Sequence, residues 1–402
     1  MKNKLILKIA LLSASLLVAS APAINANLPA MIAAFPEVPL QIVEMLTTIP
    51  SMFLMISVLT SSFIAKKIGY KQTIVTGLCI VAVAGIIPVV TNNFYIILAT
   101  RAMLGFGVGL FNSLLVSMIS YFYDGEERSG LFGIQSACEG LGGMAVTFIA
   151  GRLLTINWQA LFYAYLIAIP VVIMFSIFVP KVDTKELLDK INVKKSESLE
   201  GKKGDLYPVI GYIGLIFLIA ILYMTMGIKV SSLMTSEGYA NASDASTVIM
   251  LLSLGAMLSG FLFGKIIKVL KDFTLPIAYM ILAVAMFSIG ISNSVVVTVF
   301  GGFVTGFGFR MIMPYFINKI NNSSISNTGL ATSLLLVGYN LGVFITPYGS
   351  IILEYLAGDN GLRGVFYVDA IIFVLLSLTT VLFIVFKKKK QLSMKVKNLY
   401  KV

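Results

Sequence analysis

The chain has 402 residues, of which 58% are hydrophobic and only 12% charged, about half the charged share of an ordinary soluble domain. That composition excludes a soluble enzyme and a disordered chain, and a lone pair of cysteines, Cys79 and Cys138, both in apolar runs, excludes a disulfide scaffold. Histidine is absent, which removes the commonest metal ligand and the side chain that most readily titrates near neutral pH, and the net charge of +12 has to be judged from where the charges sit.

A membrane-crossing helix needs about 20 mostly apolar residues. The first such run covers 9–31, and Asn25 and Asn27, bracketed by Pro22 and Pro29, interrupt its apolar character. Prolines free backbone carbonyls and permit bending, and unwound backbone is tolerated in a membrane only where it lines protein or water. The basic start, apolar core and A-x-A spacing of this segment also resemble a secretory signal. The reading adopted is an uncleaved first helix, because cleavage leaves an odd number of spans. Further runs follow at 40–64, 72–91, 94–120, 129–151 and 157–180, then at 207–234, 244–267, 273–292, 295–318, 327–355 and 364–386. They are too long and continuous for the ten-residue alternation of a membrane barrel. The predicted fold is therefore an all-α membrane protein of twelve transmembrane helices in two pseudo-symmetric six-helix bundles, 1–180 and 207–390. A polar cytoplasmic linker at 181–206, partly helical over 184–192, joins them, and a basic cytoplasmic tail occupies 391–402.

Lysine and arginine set the orientation. With both termini cytoplasmic, all of the 30 basic residues except Arg101, Arg152, Lys229, Arg310 and Arg363 fall on the cytoplasmic side. The outer loops are read as carrying Glu37, Glu44, Glu237, Asp244, Glu354 and Asp359. The positive charge is thus topological and implies no nucleic-acid partner.

The two halves repeat each other at a spacing near 200 residues. GFGVG at 105–109 matches GFGFR at 306–310, and SSFIAKKIG at 61–69 matches SGFLFGKIIK at 259–268. GLFG at 130–133 matches GLAT at 329–332, and WQALFY at 158–163 matches LRGVFY at 362–367. Internal repeats with a substrate site at their midplane interface are a common plan for secondary carriers.

Ionisable groups inside the membrane are costly and usually face a cavity or a partner. Five lie well inside the predicted spans: Arg101, Glu139, Lys229, Arg310 and Asp369. Glu139 lies about ten residues into its helix, hence about 15 Å deep at 1.5 Å per residue. Burial and a nearby arginine pull a carboxylate in opposite directions, which suits a group that binds and releases a proton, with a structural ion pair or a hydrogen-bonded, permanently protonated acid as the alternative. Arginine keeps its charge, so Arg101 is a candidate to tune a carboxylate rather than to carry the proton, with a packing or ion-pair role that holds helices together as the alternative. Arg310 is a candidate for an anionic substrate group or for pairing with Glu139. Asp369, five residues into the last span, is either a coupling group or interfacial, and Lys229 either binds substrate or snorkels to the headgroups. Gln135, Tyr223, Tyr339 and Asn340 complete the substrate candidates, with interhelical hydrogen bonding as the alternative for each polar side chain.

Three motif regions carry a resemblance. The stretch from Ser62 to Lys71 is similar to the loop motif G-x-x-x-D-R-x-G-R-R, matching at Lys67, Gly69 and Lys71, with Ser62 in place of the first glycine and Lys66 in place of the acid. Arg101, Gly105 and Gly107 match the fourth-helix pattern, whereas the fifth-helix Gly-Pro signature of antiporters is reduced to Gly140, Gly142, Gly143 and Gly151 without proline. On these residues the chain resembles the major facilitator superfamily over its whole length, nearest to bacterial twelve-helix drug–proton antiporters. The resemblance implies proton-coupled efflux of the multidrug-resistance kind. It assigns Ser62, Lys66, Lys67, Gly69 and Lys71 to a cytoplasmic conformational gate.

The expectation is a monomeric carrier in the cell membrane, the bacterial inner or cytoplasmic membrane on this resemblance. It contacts lipid and exports a small amphipathic molecule by alternating access, driven by the proton gradient without a cofactor or metal. The rival readings are a proton-coupled importer of an organic anion or zwitterion, a lipid or glycolipid flippase, and a receptor that binds without translocating. No nucleotide loop of G-x-x-x-x-G-K-[ST] type occurs, and without histidine no histidine-based triad is possible, so an enzyme is not expected.

Overall fold

The computed structural model describes residues 2–182, 207–321 and 328–399. The expected linker helix at 184–192 lies outside the described residues. Where the chain has regular structure among those residues, it is helical.

The first run does not form one straight helix. Helix α1 (Lys2–Ser15) gives way to a 3-10 turn over Ala21–Asn27 and then to α2 (Leu28–Ala34). Pro22 and Pro29 have no N–H to donate to the carbonyl four residues back, so the regular ladder fails there. Side chains from other helices take up carbonyls in the break. Ser20 O accepts from the Tyr165 hydroxyl at 3.0 Å, Ala21 O from Arg101 Nη2 at 2.7 Å, and Ala26 O from Ser231 Oγ at 2.8 Å.

Helix α3 (Leu40–Ile68) contains Pro50, which leaves Leu46 O without its helical donor. Arg101 Nε supplies one at 3.2 Å. Gly69, at φ 94°, turns the chain into α4 (Tyr70–Ile86), a conformation that suits glycine because it has no Cβ. Helix α5 (Phe94–Phe122) starts at Asn93, whose side chain accepts from the N–H groups of Tyr95 and Ile96 at 3.0 and 3.2 Å. Then come α6 (Gly125–Leu153), a 3-10 stretch over Ala160–Ile167, and α7 (Ala168–Phe178).

The second half begins with α8 (Tyr207–Ser236) and α9 (Ala242–Leu270). A reciprocal capping box starts α9: Asp244 N–H donates to Asn241 Oδ1 and Asn241 N–H to Asp244 Oδ2, both at 3.0 Å. After α10 (Thr274–Ile291), α11 (Val295–Arg310) ends at Arg310 and α12 (Ile312–Asn321) resumes beyond Met311. The last helices are α13 (Thr328–Ala357) and α14 (Gly361–Leu399).

Two apolar cores result. One gathers buried residues from Ala10 to Val179, and the other gathers those from Val209 to Phe373, with Ile228 and Ala26 each crossing into the opposite core. The sequence repeat has a packing counterpart: α5 lies along α3, and α11 along α9. A Cβ on Gly105 would collide with the backbone of Pro50, and one on Gly306 with the backbone of Leu252. Glycine lets each helix pair approach closely. Among the described residues, eight stretches are long and apolar enough to cross a membrane. Two of them, Ala242–Ile291 and Leu330–Lys387, at 50 and 58 residues, are each long enough for two passes. The broken first segment and α6, which carries Glu126, Glu127, Arg128, Glu139 and Arg152, lie outside those eight.

Candidate functional site

Between the two halves lies a cavity of about 580 Å³. Its walls come from the break in the first segment and α6 on one side, and from α8, α9, the α11–α12 junction and α13 on the other. At one end the halves are closed on each other. Thr48 Oγ1 donates to Phe344 O at 3.3 Å, Ser231 Oγ reaches Ala26 O, and Gly151 packs so tightly on Ser246 that a Cβ would not fit. At the other end, Gly133 on the cavity wall faces open space and Phe261 is exposed.

Five of the residues singled out from the sequence line this cavity: Asn25, Glu139, Tyr223, Arg310 and Tyr339. Glu139 sits on the α6 wall, and Gln135, one turn earlier, donates from Nε2 to Glu139 Oε1 at 3.2 Å. Arg310 projects from the end of α11, exposed to the cavity, and no hydrogen bond or ion pair occupies its guanidinium among the described residues. It is close enough for its charge to act on Glu139, Tyr223 and Tyr339 without an ion-pair contact to Glu139. Beside it, Phe309 stacks on Tyr223 with ring centroids 3.7 Å apart and planes 10° apart, and meets Tyr339 at 5.9 Å. The Asn25 side-chain oxygen is buried with no partner. The site therefore offers a carboxylate on one half, a free guanidinium on the other, and an aromatic platform next to the guanidinium.

The other candidates lie elsewhere. Gln135 is buried and off the cavity wall, and hydrogen-bonds to Glu139, which is on it. Asn27 donates to Trp158 O at 2.8 Å, and Asn340 to Leu336 O of its own helix at 2.8 Å. Arg101 is 1% exposed, and its partners are Leu46 O, Ala21 O and the Tyr165 hydroxyl, so it meets no carboxylate among the described residues. Asp369, a coupling or interfacial group by its position in the sequence, is fully buried, and neither carboxyl oxygen has a hydrogen-bond partner among the described residues.

Lys229 does not snorkel. It is buried, and its Nζ contacts Glu44 Oε1 at 2.5 Å and also pairs with Glu354. Glu44 and Glu354 are consequently not loop residues: they lie on α3 and α13, and Glu44 is 2% exposed. Only packing across helices could show that these groups near the span ends face one another. Of the gate candidates, Ser62, Lys66 and Lys67 are exposed, with Lys67 over the Phe63 ring at 4.6 Å. Gly69 makes the α3–α4 turn, and Lys71 Nζ donates to Ser176 O at 2.7 Å, within its own half.

Sequence reasoning missed Ser136, Ser253 and Phe309 on the cavity wall. Phe309 had one usable signal, its place next to Arg310. The two serines had none, since serine is common in membrane helices where small residues let helices approach.

The Major Facilitator Superfamily sequence profile matches residues 9–347. A sequence search of curated proteins gives no significant match. Among solved structures, the D-xylose–proton symporter superposes with TM-score 0.71 at 14% identity, covering 94% of this chain and 97% of the symporter. The inward-open xylose transporter XylE from E. coli superposes with TM-score 0.69 at 12% identity, covering 93% and 94% of the respective chains. The human organic anion transporter MFSD10 (TETRAN) gives 0.62 at 15% identity, covering 94% and 98%. At these identities the likeness speaks for the fold.

Proposed function

The chain belongs to the major facilitator superfamily and is a multi-pass membrane transporter rather than an enzyme, and we propose that it is a proton-coupled secondary carrier. In this reading it exports a small amphipathic molecule by alternating access, as the motif resemblance to drug–proton antiporters implies. The observation that carries the proposal is Glu139 facing an unpaired Arg310 across one cavity, with the two groups on opposite halves.

The eight apolar stretches hold ten passes, and α6 and the broken first segment bring the reading to twelve. Lys66, Lys67, Lys71, Lys265, Lys268 and Lys271 support reading the open end as cytoplasmic, with both termini. The protein is taken as a monomer in a cell membrane. Glu139 holds the transported proton, and Gln135 orients its carboxylate. Arg310 supplies a fixed positive field that no protonation change removes. A cationic or hydrogen-bonding substrate displaces the proton from Glu139, so substrate and proton move in opposite directions. Arg101 and Asp369, away from this cavity, are left to indirect roles in coupling.

A second reading is symport of an organic anion, and the free guanidinium of Arg310 favours it. An anion seated on Arg310 cancels the positive field at Glu139 and so promotes proton uptake there. Anion and proton then travel together, the kind of coupling that the D-xylose–proton symporter of similar fold is named for.

The test uses inverted proteoliposomes with an acidified lumen and a trapped pH dye. Ethidium serves as the cationic amphiphile and p-aminohippurate as the organic anion. Antiport predicts that ethidium draws protons out of the lumen; symport predicts that p-aminohippurate carries protons in. Glu139→Gln should abolish either response while the purified protein keeps its thermal transition. Proton movement that persists in Glu139→Gln overturns the role of Glu139.

A further inference from the structure

Lys229, Glu44 and Glu354 form a buried three-charge cluster at the closed end, away from the cavity. Glu44 belongs to the first half, on α3, whereas Lys229 and Glu354 belong to the second, on α8 and α13. The contact between Lys229 and Glu44 therefore ties the halves together, while the one between Lys229 and Glu354 stays within one half. One cation faces two carboxylates. Glu354 retains about a third of its side-chain exposure, Glu44 and Lys229 almost none. Glu44 Oε2 is buried without a partner, although Oε1 meets the ammonium.

Other charged groups on the elements packed around the cluster are engaged elsewhere or distant from it. On α5, Arg101 is occupied by two carbonyls and Tyr165. On α14, Arg363 pairs with Glu237 at 2.8 Å, and Asp369 lies in the second core. The turn over Ala21–Asn27 and α2 carry no titratable side chain. On α4, Lys71 is bound to Ser176 O toward the open end.

We propose that this cluster is a proton-operated lock on the outer face, with Glu44 as a proton site separate from Glu139. The proposal rests on the alternating-access reading above. A proton from outer water reaches Glu354, the exposed member, and passes to Glu44. Glu354 returns to the carboxylate, Glu44 becomes the neutral acid, and Lys229 keeps its charge throughout. Neutral Glu44 no longer attracts Lys229, so the tie between the halves is lost. The ammonium stays paired with Glu354, so opening strands no buried cation, the outcome that makes breaking an ordinary buried pair so costly. Two carboxylates around one lysine are what this exchange requires. The unpartnered Oε2 of Glu44 is the atom able to take the proton.

The experiment measures the opening of the outer face directly. In full-length protein with Cys79→Ser and Cys138→Ser, spin labels at Leu40→Cys and Ser236→Cys report the separation of the halves in nanodiscs. In the parent protein, the long-distance population should rise between mildly alkaline and mildly acidic pH. Glu44→Gln should give that population at both pH values, and Lys229→Arg should keep the response. Glu354→Gln, at a partly exposed position suited to the test should Glu44→Gln misfold, should remain closed at both. A parent-like pH response in Glu44→Gln or Glu354→Gln overturns the lock. Proton-coupled flux of ethidium or p-aminohippurate with a pH-independent distance overturns the lock and leaves the transport reading intact. A cluster-dependent pH response without flux of either probe does the reverse.

Discussion

The guanidinium of Arg101 donates to two backbone carbonyls and a phenol, whereas that of Arg310 faces open cavity with its donors unused. Both arginines interrupt apolar runs and are alike in sequence terms, but their surroundings assign them opposite work. Pro50 removes the donor for Leu46 O, and the proline-broken first segment exposes Ala21 O; Arg101 serves both. Removing it leaves those carbonyls without donors, each at about 1–3 kcal/mol. Arg101→Met is therefore expected to destabilise the purified protein by about 2–6 kcal/mol, read as a lower thermal midpoint. An unchanged midpoint would show that other groups satisfy those carbonyls. Arg310→Gln, by contrast, should leave the midpoint near that of the parent and weaken p-aminohippurate-driven proton flux, because its charge holds no helix in place.

At the scale of the helices, the repeat becomes a pair of equivalent crossings. The first glycine of GFGVG, Gly105, meets Pro50 on α3, and the first glycine of GFGFR, Gly306, meets Leu252 on α9. Because backbone rather than a flexible side chain stands opposite, a methyl group forces the helices apart. Gly105→Ala and Gly306→Ala should each cost about 1–3 kcal/mol, with similar falls in thermal midpoint in the two halves. A neutral result at either position would mean that this crossing tolerates separation. The first segment shows the converse effect, in which two prolines break a run whose apolarity alone suits a continuous helix.

On the scale of the whole molecule, the halves meet at one end and part at the other. In a protein carrying Cys79→Ser and Cys138→Ser, Gly133→Cys should react with a membrane-impermeant maleimide added from the side of the termini. Ser246→Cys should be protected, because it is packed against Gly151 at the closed end. The opposite pattern would place the opening on the other face. Membership of the superfamily and the likeness to solved structures speak for the fold alone, and the positive-inside rule is the ground for reading the open end as cytoplasmic.

Apolar runs and their flanking lysines were sufficient, by themselves, for a many-pass helical membrane protein with an internal repeat, because the length of an apolar run and the distribution of charge are local properties of a chain in a bilayer. The same logic made Glu139 and Arg310 legible, since an ionisable group in a hydrocarbon span stands out wherever it points. Which of the polar residues converge was not local. Asn25, Tyr223 and Tyr339 reach the cavity, whereas Asn27 and Asn340 turn to carbonyls, and nothing in their sequence surroundings separates the two sets. Glu44 and Glu354 read as loop acids because they sit near span ends. Only the packing of α3, α8 and α13 brings them onto Lys229. Contacts between residues roughly two hundred positions apart depend on how the halves close, and that was decided by tertiary structure alone.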